Sequence, residues 1–353
     1  MNARERVRLA LTCQRPDRIP IALAFWEESF PAISPQTPGD FFGLDIRFVQ
    51  FKPPVEQNDF LGYLRGLPPD VHVGDMAQLA VYHEWDYHPE RGPDGPLSDL
   101  HTADALARYV FPDLTHPDRY AGLAEQVESY HQRGLAVGGS PPHLGGELYE
   151  TAYRLRGFQN FLTDLVLHKP LARYLLDQLT TLLIHNALIL ARAGVDILLL
   201  DDDVAMPTGL TIGLHTWQEF FKPRLADVIR LARQVNPDLL IFYHSDGDFT
   251  DIVPHLVEVG INVINPLQPD CMDAQPIKRR WGDKLALWGT VGSAGLWDRG
   301  RPADIRAEVK LRIETLGPEG LLLCPAYDLD FAPFENVVAF VEAAREFGAC
   351  KTC

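Results

Sequence analysis

Residues 195–203, VDILLLDDD, and 239–248, LLIFYHSDGD, decide how this chain folds. Each is a short unbroken apolar run that ends in acids, and in the second a histidine stands just before them. Runs of this length with no polar alternation read as strands buried on both faces, as in a parallel sheet. The pattern repeats at Ile261 to Asn265, Leu285 to Trp288 and Leu321 to Cys324. Between these runs lie segments of helical period with the punctuation that helix ends need. Thr216 to Glu219 fits a capping box before Phe220, Phe221, Leu225 and Ile229. Pro302 fits the first turn of a helix through Ile305, Val309, Leu311 and Ile313 that Gly317 stops. Gly260 stops another that begins at Phe249, and Pro333 precedes the last, through Val337, Phe340 and Ala344. Strands regularly followed by helices imply a parallel sheet.

Counting back, Ile19 to Phe25 and Gly134 to Gly139 also suit strands, and another is expected near Leu79 to His83. With the five above they make about eight, which favours an α/β fold closed as a single (β/α)8 TIM barrel over residues 1–353, preceded by an N-terminal helix. No glycine-rich nucleotide fingerprint follows the first strand, so an open dinucleotide-binding sheet is disfavoured. Residues 145–194 read as helical, with Leu175, Leu179, Leu182, Leu183 and Leu188 on apolar faces. They form an enlarged third βα connection.

The chain has 353 residues, 46% hydrophobic and 23% charged, the composition of a globular protein with a sizeable core. A formal charge of −16 and the lack of any Lys/Arg-rich run argue against a nucleic-acid partner. The expected partner is a small molecule or another protein. No apolar run is expected to reach the roughly 18 residues of a membrane span, and charges fill the opening MNARERVRLALTCQRPDR where a signal peptide is apolar. A cytoplasmic protein is the simplest expectation. The five cysteines, Cys13, Cys271, Cys324, Cys350 and Cys353, are scattered rather than framed as disulfides. Cys350 and Cys353 have CxxC spacing, but at a chain end and with no second pair they read as a frayed tail rather than a metal site.

In such barrels the chemistry sits where strands end. Asp201 and Asp203 fall on one side of an extended chain and Asp202 on the other, so one pair can face the mouth. A helix-capping loop explains one of the three carboxylates and leaves the others. His244 and Asp246 have the same spacing of two. Both are good zinc ligands, and Cys324 can add a thiolate while a fourth position stays open. The rival reading is a buried histidine bonded to its neighbouring aspartate, with Cys324 as core filler. Asn265 and Gln268, Trp288, and Tyr327 with Asp328 and Asp330 end the following strands, and they suit walls around a neutral or aromatic ligand. Trp26, Glu27 and Glu28 after the first strand add acidity, which repels an anionic ligand.

The stretches RERVRLALTCQRPDRIPI, ETAYRLRGFQNFLTDL, DILLLDDDVAMPTGL, FYHSDGDFTDIVPHLVEVGINVINPLQP, KLALWGTVG and LLLCPAYDLDFAPFENVVAFVEAAREFG, in this order, resemble the uroporphyrinogen decarboxylase superfamily over nearly the whole chain. That superfamily holds decarboxylases and also zinc-dependent methyltransferases that work with corrinoid proteins or thiols, so the fold alone does not choose between them. Its decarboxylases resemble one another in an arginine-rich RQAGRY segment that holds substrate carboxylates. Here that place reads FWEESFPAI, which puts repulsion where a tetrapyrrole polycarboxylate needs pairing. The methyltransferase branch has a His-x-Cys pattern and a later Cys as metal ligands. The matching positions are His244, Asp246 and Cys324, with Asp246 departing from the pattern as an oxygen donor in place of a thiolate. The resemblance therefore implies zinc at these three residues and a partner-borne corrinoid. It leaves Asp201 and Asp203 to handle protons, Glu147 near the site, and a metal-free carboxy-lyase as the alternative.

Overall fold

A computed structural model describes residues 1–53, 76–89 and 95–350 of the chain. Seven parallel strands form one curled sheet in the order β1 (Ile46–Val49), β2 (Ala136–Gly139), β3 (Ile197–Asp201), β6 (Leu240–His244), β7 (Val263–Asn265), β8 (Ala286–Val291) and β9 (Leu321–Pro325), with helices around it. A two-stranded antiparallel ribbon, β4 (Ala205–Met206) and β5 (Gly209–Leu210), follows β3. The segment from Ile19 occupies the eighth position without forming a regular strand. Ile21 makes a parallel bridge to Leu323, and the Ile21 amide donates to the Asp45 carboxylate beside β1 at 3.1 Å. Among the described residues the sheet is thus a TIM-like α/β arrangement of seven regular strands, against the expected eight.

Two expectations at its edge are corrected. Leu79 to His83 lies in a helix, Met76–Glu84, because a five-residue apolar run suits a buried helix as well as a strand. Strand β1 escaped notice because Arg47 interrupts its apolar run. The buried guanidinium is satisfied by the carbonyls of Leu44 and Ile46 and by Asp40. Thr216 is not a cap either, since the helix Leu214–Phe220 starts one turn earlier, after Gly213.

Alternation along the strands divides the core into two. Ile197, Leu199, Leu240, Phe242, Val263, Ala286, Trp288 and Leu322 face the barrel interior, where Val7 and Leu11 of the helix Ala3–Leu11 join them. Leu198, Leu200, Ile241, Tyr243, Ile264, Leu287 and Leu323 point outward under the helices. The enlarged third connection holds the helices Tyr149–Arg156, Phe158–Val166 and Lys169–Ala193. Against the expectation that no segment is apolar enough, Lys169–Ala193 has the length and composition of a membrane span. Half of its most apolar window is buried in this fold, where Leu175, Leu176, Leu179 and Leu183 meet the core. The four described cysteines are free, and Cys353 lies outside the described residues.

Candidate functional site

The period of two that buries Ile197 and Leu199 inside the barrel carries Asp201 to the same face at the mouth. His244 follows Leu240 and Phe242 in the same way, Asn265 follows Val263, and Cys324 follows Leu322. Register then sets the first three side by side, because Asp201 is paired with His244 and His244 with Asn265 on adjacent strands. A cavity of about 420 Å³ opens above them.

His244 is the centre of the arrangement. Its Nε2 lies 3.5 Å from Asp203 Oδ1, 3.7 Å from Asp246 Oδ1 and 3.9 Å from Asp201 Oδ1. Asn265 fixes the ring from behind: its Oδ1 is 2.5 Å from His244 Nδ1. The amide cannot face the other way, since its Nδ2 donates to the Trp288 carbonyl at 2.8 Å. A ring held as a donor through Nδ1 keeps Nε2 aimed at the carboxylates of the cavity. Among the described residues, Asp201, Asp203 and His244 form a group whose ligand atoms all lie within 4.8 Å of one another.

Negative charge is crowded here. Burial by itself lowers the pKa of His244, but Asp201, Asp203 and Asp246 outweigh it and hold the imidazole up at about 10. Asp201 is driven well above the usual carboxylate range by burial, with His244 opposing and neighbouring carboxylates adding. Asp203 stays below its usual value despite burial, because His244 and the Asp246 amide, which donates to it at 2.6 Å, favour its charge. Asp246 rises to about 6, chiefly through burial. A cluster that strains against its own charge is suited to a cation.

The remaining expected residues fall in three places. Trp26, Gln268 and Tyr327 line the cavity with Asp246 and Cys324. Gln268 also accepts the Gly247 amide at 2.9 Å, and Tyr327 donates to Asp270 at 3.0 Å. Glu147 stands behind the wall, buried, with one carboxylate oxygen accepting the Asp201 amide at 2.6 Å. Trp288, expected as a wall, is buried in the barrel core below the cavity against Phe242. Cys324 is also buried, which drives its thiol pKa far up, and its sulfur does not join the Asp201, Asp203 and His244 group. Asp202 points away, as the alternation requires, and accepts the Tyr149 and Glu150 amides at 2.8 and 3.0 Å, so it caps the helix Tyr149–Arg156.

Several neighbours had no strand-end signal in the sequence. Arg154 and Glu150 reach the cavity from that capped helix, joined at 3.1 Å. Phe25 stacks on the His244 ring with centroids 4.7 Å apart. Gly247 sits at φ +80°, where an added Cβ would lie 2.6 Å from the Met206 carbonyl. Only glycine lets the loop after β6 pass so close under the β4–β5 ribbon. The motif HSDG signals that glycine, but not what it passes under.

The family model for uroporphyrinogen decarboxylase (URO-D) matches residues 137–347. A methyltransferase from Methanosarcina mazei has a similar structure, with a TM-score of 0.65 and 19% identity over 98% of this chain and 99% of that one. A B12-independent methionine synthase from Shewanella sp. W3-18-1 aligns with a TM-score of 0.43 and 12% identity over 64% of this chain and 65% of that one. No curated protein matches the sequence.

Proposed function

The chain belongs to the uroporphyrinogen decarboxylase family, and from the geometry of its mouth we propose that it is a zinc-dependent methyltransferase. In this reading a methyl group moves between a small-molecule donor or thiol and a corrinoid protein in the cytoplasm. The observation that carries it is the meeting of one oriented imidazole with three crowded carboxylates. A tetrahedral zinc with bonds of about 2.0–2.1 Å has its ligand atoms roughly 3.4 Å apart. The Nε2 to carboxylate distances of 3.5 to 3.9 Å come close to that edge, so the residues present fit the metal.

His244, Asp201 and Asp203 hold the ion in this proposal. Asp246 is a further donor within reach, and Cys324 borders the same cavity as a buried thiol. When bound, zinc supplies a Lewis acid that polarises the donor's heteroatom or keeps an accepting thiol ionised near neutral pH. Asn265 keeps His244 Nε2 aimed at the cavity, and Glu147 steadies Asp201 through its amide. Asp246, whose pKa near 6 lies close to neutrality, takes the proton that the acceptor releases onto its carboxylate. Trp26, Gln268 and Tyr327 position the small substrate.

A decarboxylase acting on a polycarboxylate tetrapyrrole fits less well. Glu28, Asp246 and Asp328 line the cavity, while Arg154 is its only arginine or lysine among the described residues and already faces Glu150. Elemental analysis of untagged protein tests the proposal. About one zinc per chain is expected, lost together with methyl transfer to cob(I)alamin in His244→Ala. Absence of metal from both proteins, with turnover that survives chelators, rejects it in favour of a metal-free lyase.

A further inference from the structure

A second cavity, of about 530 Å³, adjoins the acidic one and shares Phe25, Trp26 and Asp201 with it. Its character is different. Phe51, Val81, Trp85 and Pro141 supply apolar walls, and Trp26 packs edge-on against Phe25 with centroids 4.7 Å apart. Glu84 and Arg119 also border it, bonded to one another and nearly buried, and Lys52 adds a positive charge to its lining.

His143 borders the lobe without a hydrogen-bond partner among the described residues; its Nδ1 is closed off, which leaves Nε2 as the nitrogen open to the cavity. Burial, with Arg154 and His244 near, lowers the pKa of His143 to about 4, so its imidazole is neutral at pH 7. A ligand group opposite that nitrogen can bond to it. The volume is that of a small-molecule site, and such sites are apolar with a few convergent polar groups.

We propose that this lobe is the recognition site for the body of the substrate, a planar aromatic or heteroaromatic molecule that carries a hydrogen-bonding substituent opposite His143. The inference rests on the proposed function, since the shared Asp201 and Phe25 lead from the lobe to His244. A ring lodged against Phe51, Val81 and Trp85 sends a second substituent along Trp26 into the acidic cavity.

Equilibrium dialysis of the full chain with 2-naphthol and naphthalene tests this. Wild type is expected to bind 2-naphthol saturably, about three- to ten-fold more tightly than naphthalene. Val81→Trp, which fills the lobe, weakens 2-naphthol by at least about ten-fold with zinc content unchanged. His143→Phe keeps the ring shape and erases the preference for 2-naphthol over naphthalene, an effect of about three- to ten-fold that serves if Val81→Trp does not fold. Absence of saturable 2-naphthol binding, or affinities unchanged in both variants, overturns the proposal. His244→Ala separates the two readings: it removes zinc and leaves 2-naphthol bound. Naphthol binding that responds to Val81→Trp in a protein without zinc upholds the lobe and rejects the methyltransferase.

Discussion

Asp196 precedes strand β3 and Asp201 ends it, and the two ends of this strand treat their carboxylates in opposite ways. At the closed end Asp196 meets Arg4 at 2.8 Å and His131 at 2.9 Å and accepts the Val137 amide at 2.9 Å. Nearby, Asp45 is 1% exposed yet held by Arg6, Arg18 and the Ile21 amide. Both carboxylates there have partners, and the network ties the helix Ala3–Leu11 and the segment from Ile19 to the sheet. At the mouth, Asp201, Asp203 and Asp246 compete for one imidazole. A paired carboxylate holds the fold, whereas a crowded one stores charge for a ligand.

The sharpest way to break this comparison is to remove one carboxylate from each end. Asp45→Ala leaves Arg6 and Arg18 short of a partner and is expected to cost about 3–5 kcal/mol in urea unfolding. Asp201→Asn in chelated protein is expected to leave stability unchanged or raise it, while zinc is lost. Equal destabilisation by the two variants would erase the distinction. Asn265→Ala frees the His244 ring and should weaken zinc about 10–100-fold in competition with a chromogenic chelator, with little change in unfolding.

The rim gives a smaller, pH-dependent contrast. Burial, then Asp330 and Asp328, raise the Glu28 pKa to about 7. A carboxyl raised in the folded state favours folding while protonated and opposes it as pH climbs from its unfolded value near 4.5 through 7. Glu28→Gln should therefore gain about 1–2 kcal/mol over wild type at pH 8 and almost nothing at pH 4.5. Equal stability of the two proteins at both pH values would remove Glu28 from the acidic mouth.

Much of the barrel was legible because its central strands are buried on both faces, and such strands announce themselves by composition. Strand β1 was not, because Arg47 is buried in it and satisfied only by carbonyls and Asp40 brought in from the preceding turn. The helix at Met76–Glu84 has the apolar run of a strand, and nothing local separates the two. At the site, spacing alone brought out Asp201, Asp203, His244 and Asp246, since alternation of period two is a local property. It also predicted that Asp202 turns away. Cys324 and Trp288 obey the same alternation, yet both are buried and neither joins the cluster of charge. How deep in the mouth a residue ends depends on strand stagger, which spacing does not encode.

The sequence by itself determined the strand–helix alternation, the family pattern and the set of acids around one histidine, because these follow from periodicity and from the order of motifs. Only the tertiary structure decided that the imidazole is aimed by Asn265, that Asp202 caps a helix more than fifty positions earlier, and that an aromatic lobe opens beside the acids. Those relations join residues far apart in the chain, and their distances are set by register and barrel curvature rather than by any local preference.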